Sequence, residues 1–127
     1  MSIRDLSKAS VTPDNKLFLD KVVEQDYFKD NISAFRFFVT YGLSEDLIPS
    51  DNDLSLNRTE DLFDARVEKY LDLRDIIQGI FSDEKIANLT PVRVMNALAH
   101  LGIEKIIKEF WNDDSKTLDM ENLFLKI

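Results

Sequence analysis

The chain has 127 residues, 44% of them apolar, no cysteine, and 24 Asp and Glu against 16 Lys and Arg for a formal net charge of -8. That length closes one hydrophobic core and predicts a single domain over residues 1-127. The lack of cysteine excludes disulfides, thiolate metal sites and cysteine nucleophiles, and the acidic balance opposes general attraction to nucleic acid or anionic lipid. With only three glycines and three prolines, turn signals are sparse and long helices are favoured, so the predicted class is mostly α. The first ten residues carry Arg4, Asp5 and Lys8 without a continuous apolar run, which reads as no signal peptide, and the expected setting is cytoplasmic.

In chain order, Lys8 to Thr12 alternates and predicts a short strand, with Ala9 and Val11 on the core side and Lys8, Ser10 and Thr12 on a solvated side. Thr12-Pro13-Asp14 supplies an N-cap, a proline at the first helical position and a carboxylate for the helix dipole. The first helix is expected to run to about Gln25, with a stripe of Leu17, Phe18, Lys21 and Val22, and Tyr27-Phe28 closes the turn after it. Asp30 or Asn31 caps a second helix through Ile32, Phe35, Phe38 and Val39, with Gly42 as a left-handed C-cap. Phe35, Phe37 and Phe38 give this helix more than one apolar face, which predicts a central position or self-association.

Residues 44–56 are polar and include Pro49, so they read as the one true loop, dividing a unit at 8-43 from a helical half at 58-127. From Thr59 the apolar positions Leu62, Phe63, Val67, Tyr70, Leu71, Ile76, Ile77, Ile80 and Phe81 predict one long helix or two. Thr90-Pro91 opens a further helix that Gly102 is expected to end, followed by an apolar face from Ile103 to Trp111, a break at Asn112 to Lys116 and an amphipathic tail.

Candidate chemistry is thin. The single histidine, His100, is placed late in the Val92–Leu101 helix, where a structural or surface role fits its position. Asp51, Asp53, Asn57 and Thr59 resemble the start of a calcium loop, but Leu56 and Leu62 stand where glycine and the closing glutamate belong. Glu60, Asp61, Asp64 and Glu68 are read as one solvated helix face, and a carboxylate-metal enzyme using Asp51, Asp53, Glu60, Asp61 and Asp64 is the third-ranked reading. Catalytic, cofactor and metal residues are therefore predicted as none, and the chain is expected not to be an enzyme.

The run from Ala9 through Thr12-Pro13 and Leu17 to Val23, Tyr27-Phe28, Asn31 and Ala34-Phe35-Arg36 to Leu43 resembles the ribbon-helix-helix family in order and length. The resemblance implies a strand that pairs with its copy in a second subunit and enters the major groove, and a second helix whose N-terminus holds phosphate. Carried over, Lys8, Ser10 and Thr12 would face bases, while Asn31, Ile32 and Ser33 would present backbone amides to phosphate. Asp14, Asp26 and Asp30 depart from such a phosphate-facing surface. The whole-chain layout, ending in Ala97-x-x-x-Leu101-Gly102-Ile103-Glu104, also resembles small accessory proteins of bacterial phosphorothioate DNA-modification systems. Together these imply a non-catalytic, self-associating accessory or adaptor of a DNA-processing or defence assembly, with Phe35, Phe37 and Phe38 as the self-association cluster. The alternative is a ribbon-helix-helix repressor or antitoxin that binds operator DNA.

Overall fold

A computed structural model describes residues 6–66, 71–80 and 91–126 and is mostly α. Strand β1 (Lys8–Val11) and helix α1 (Pro13–Glu24) form where the sequence places them. Thr12 Oγ1 accepts from the Asn15 amide at 3.3 Å and Pro13 occupies the first turn, so the helix start needs no outside partner. Phe18, Leu19 and Val22 are buried while Leu17 is 61% exposed, which rotates the buried stripe away from the predicted one.

Helix α2 (Asn31–Ser44) is capped by Asp30, whose Oδ1 accepts from the Ser33 amide at 2.7 Å. It runs past Gly42. Both α1 and α2 end in the same way, with aspartate in place of glycine at the left-handed position. After α1, Asp26 has φ 62°, and Tyr27 and Asp26 donate back to the Val22 and Val23 carbonyls. After α2, Asp46 has φ 56°, and Leu47 and Asp46 donate to Gly42 and Leu43. Aspartate tolerates this conformation better than most residues, so neither turn needs glycine.

Two expectations for the middle of the chain are corrected. The supposed loop holds a short helix, α3 (Asp51–Ser55), closed by a reciprocal cap between Ser50 and Asp53. Glu60–Asp64 is not a helix but strand β2, antiparallel to β1 with Lys8 opposite Asp64 and Val11 opposite Glu60, and with an irregularity between Ala9 and Ser10. Glu60, Asp61 and Asp64 therefore share no helix face. The apolar pair Leu62-Phe63 fits either period, and the unpaired β1 edge decides for the strand because buried backbone groups demand partners.

Helix α4 (Leu71–Ile80) buries Leu73 and Ile77 and leaves Ile76 and Ile80 outside, so only part of the predicted apolar stripe joins the core. Arg36 Nη2 ties α2 to α4 by donating to Asp72 Oδ2 at 2.7 Å. The predicted helix end at Gly102 is also corrected, since α5 (Pro91–Phe110) is a single 20-residue helix. Phe81, Val67, Tyr70, Glu68 and Thr90 lie outside the described residues. After α5, β3 (Trp111–Asn112) and β4 (Thr117–Leu118) form a small hairpin, and α6 (Met120–Lys126) docks back through Leu123, which is buried.

Helix α5 is the centre. It packs on α2 most extensively and also meets β1, α3, α4, α6 and β3. The α2–α5 contact is backbone against backbone: a Cβ placed on Gly42 would lie 2.9 Å from the Leu98 carbonyl oxygen, and one on Gly102 would lie 2.4 Å from that of Phe38. Both glycines are kept by this approach and neither has positive φ.

Gly102→Ala is expected to destabilise the fold by about 1–3 kcal/mol or more, because the obstructing atom is backbone and cannot swing aside. Gly42→Ala should lose less. Gly79→Ala, which meets nothing within 4 Å, should instead stabilise by up to about 1 kcal/mol through its helix preference. Urea denaturation of the three variants checks the ordering and the change of sign.

Candidate anion-binding cleft

Strand β1 has two edges, and both are used. One pairs with β2. On the other, the buried Asn96 side chain of α5 acts as a peptide substitute: its Oδ1 accepts from the Ser10 amide at 3.1 Å and its Nδ2 donates to the Lys8 carbonyl at 3.2 Å. Ser10 is only 6% exposed, and its Oγ donates to Asp61 Oδ1 at 2.6 Å. Its predicted solvated, base-facing place is therefore corrected, whereas Lys8 remains exposed and Thr12 serves as the α1 cap.

The residues expected to meet phosphate at the start of α2 are engaged with carboxylates. The Ser33 amide donates to Asp30, and Asn31 Nδ2 donates to Asp20 Oδ1 at 3.0 Å. These bonds, led for Asp30 by the Ser33 amide and for Asp20 by Lys16 and then Asn31, hold both carboxyls below their usual range. An anion arriving here would face Asp20, Glu24 and Asp30 together.

The aromatic cluster is likewise absorbed. Phe35 and Phe38 are fully buried in the chain's own core, and Phe37 is half-buried against Phe28, Phe38 and Tyr41. Two apolar faces on α2 are thus satisfied within one chain, which removes Phe35 and Phe38 from any surface for a second copy.

A different site appears beside Asn96. A cleft of about 300 Å³ lies between the first residues of β1, the segment from Ser55 to Arg58, and the first turns of α5. Among the described residues its wall carries Lys8, Arg58 and Arg93 as cations and Asp61 as the carboxylate, the latter held by Ser10. Leu6 and Leu56 form an apolar rim.

Arg58 is the unusual member. It is 9% exposed, and its Nη1 and Nη2 donate to the Leu56 and Asp53 carbonyls at 3.2 and 2.9 Å. Its Nε is buried with no hydrogen-bond partner, and among the described residues no carboxylate lies within ion-pair distance of it. Burial and, more weakly, the charge of Arg93 push its pKa down, with Asp53 acting the other way. A guanidinium stays protonated regardless, so Arg58 is a buried charge that has no counter-ion among the described residues. The carboxylate of Asp53 is turned to the Ser50 amide at 2.8 Å and is a helix cap, and Asp51 is exposed.

His100, half-buried in the middle of α5, sits near this guanidinium. Its Nδ1 lies 3.0 Å from Asn15 Nδ2, so the ring is best assigned as the neutral tautomer with Nδ1 accepting. Burial, followed by the positive charge of Arg58, lowers its pKa against the smaller pull of Glu104 and Asp53.

Comparison with protein-family models, with curated proteins and with solved structures found no match.

Two outcomes follow from the cleft's surroundings. Asn96→Ala leaves the Ser10 amide and Lys8 carbonyl without a partner on that edge and is expected to destabilise by about 1–3 kcal/mol. Faster exchange of the Ser10 amide proton, relative to that of Val11, locates the loss. His100 binds its proton less readily folded than unfolded, so its contribution to stability is fully present above about pH 6.5 and declines as pH falls below it. His100→Asn should flatten the stability-pH curve in that range, and an NMR titration should place the imidazole midpoint below that of a free histidine.

Proposed function

We propose that the chain is a non-catalytic binding protein that takes an anionic group of its ligand into the Arg58 cleft. The observation that carries this reading is the buried guanidinium of Arg58, fixed by two backbone carbonyls and lacking a counter-ion among the described residues, at a cleft that also presents Lys8 and Arg93. Removing a charge from water without a partner is costly, and a bound anion would supply the missing one. The position in an assembly that fits this reading is the accessory or adaptor role implied by the whole-chain resemblance to phosphorothioate-modification components. In this role any self-association uses a surface other than Phe35 and Phe38. The start of α2 is left out of the ligand site because its donors are engaged with Asp20 and Asp30.

Titrating isotope-labelled protein with inorganic phosphate, sulfate and glutarate at low ionic strength tests the reading. Saturable chemical-shift changes from at least one of them, confined to Ser7–Ser10, Ser55–Arg58 and Arg93–Asn96, are expected. Shifts that never saturate, or that scatter over the surface for all three anions, would contradict it.

A further inference from the structure

Resting on that reading of the cleft as an anion site, we propose that its ligand is a short aliphatic monocarboxylate, with its carboxylate on the Arg58 guanidinium and its hydrocarbon tail on Leu6 and Leu56. The charge the ligand must supply is a single one. Arg58 is the buried cation at the cleft, and among the described residues no carboxylate lies within ion-pair distance of it. The other two cations of the wall are engaged: Lys8 Nζ is paired with Asp64 Oδ2 at 3.8 Å, and Arg93 has interactions of its own. Asp61, in the same wall, adds a negative charge that repels a dianion more than a monoanion. The chain's net charge of -8 acts in the same sense.

Shape selects in the same direction. The N–H groups of a guanidinium all lie in one plane, and on Arg58 two of them are spent on the Leu56 and Asp53 carbonyls, which orients the rest before a ligand arrives. A carboxylate carries both acceptor oxygens in one plane and matches donors so arranged, whereas a phosphate or sulfate head must place oxygen outside it. Asn96 is no alternative anchor, because its amide is committed to the Ser10 amide and the Lys8 carbonyl.

The rest of the ligand is set by the rim and the room. Leu6 and Leu56, 37% and 43% exposed, line the cleft just before β1 and just after α3. At about 300 Å³ the cleft lies at the small end of ligand sites, which run from about 300 to 1,000 Å³, so it suits an acid of about four to six carbons. Methylenes laid on the two leucines leave water, which tightens binding roughly two- to fourfold for each one. A second carboxylate at the far end, as in glutarate, would forfeit that gain because a charged group resists leaving water.

Chemical-shift titration of the isotope-labelled full chain with pentanoate, acetate, glutarate and methyl phosphate at pH 7.5 and low ionic strength separates these classes. Pentanoate should bind roughly tenfold more tightly than acetate, and several-fold more tightly than glutarate or methyl phosphate. Arg58→Lys should weaken pentanoate roughly tenfold because the flat fork is lost, with circular dichroism confirming that the variant is folded. Lys8→Ala should change it by less than about twofold, since Lys8 already has Asp64 as a partner. Leu56→Ser, at an exposed position, should remove most of the advantage of pentanoate while leaving acetate unchanged. Equal or tighter binding of methyl phosphate or glutarate would overturn the monocarboxylate assignment, and equal binding of acetate would overturn the aliphatic tail. A loss in Lys8→Ala matching that in Arg58→Lys would overturn the single-charge argument. Each of these results would leave the cleft an anion site. Absence of saturable binding by all four would overturn the ligand class and the proposed function together.

Discussion

The crossing of α2 and α5 sets the positions of everything else. Each helix brings a glycine against the carbonyl that lies one turn before the other helix's glycine: Gly42 faces Leu98 and Gly102 faces Phe38. This reciprocal contact lets two backbones approach closely, and it holds the most extensive helix–helix interface among the described residues. Because α5 is one unbroken helix, fixing it at Gly102 also fixes its N-terminal turns. Asn96 is thereby held where its amide completes the edge of β1, and Arg93, on the next turn, is held at the cleft wall.

The cleft is then a by-product of packing that the chain has furnished with charge. Asn96 satisfies one strand edge and β2 the other, so β1 is enclosed within its own chain. The segment from α3 to β2 is pinned by the Ser50–Asp53 cap at one end and by strand pairing at the other, and Arg58 lies between them. Its guanidinium is positioned by the backbone carbonyls of Asp53 and Leu56, which precede it in that segment. Pre-ordering of this kind lowers the entropy lost when a ligand binds, which is why a rigid buried arginine has more recognition value than a mobile surface lysine.

Local signals were legible where the chemistry is local. Thr12-Pro13 and Asp30 announce the starts of α1 and α2, and the alternation at Lys8–Val11 announces a strand. Gly42 and Gly102 each follow an apolar run and so look like C-caps, while their role as a gap for another backbone depends on a partner far away in sequence. The left-handed positions went to Asp26 and Asp46, residues whose patterns also suit a solvated turn. Strand β2 was hidden because Leu62-Phe63 fits a helix period as well as a strand, and only the exposed edge of β1 decides between them. Of the cleft, the strand pattern marks Lys8, whereas nothing local in the sequence marks Arg58 or Arg93. One signal was present: Asn96 interrupts an apolar helix face at Val92, Val94, Met95 and Leu98, and a polar residue buried there demands a partner.

The arrangement as a whole rests on α5 lying against the α2 backbone while its Asn96 reaches β1. Nuclear Overhauser contacts in labelled protein read this directly. Strong cross-peaks from the Gly102 α-protons to the Gly42 amide proton, together with peaks from the Asn96 side-chain amide to the Ser10 amide proton, are the predicted result. If the Gly102 α-protons show contacts only within their own helix, the two helices do not cross at these glycines and the account of both fold and cleft is contradicted.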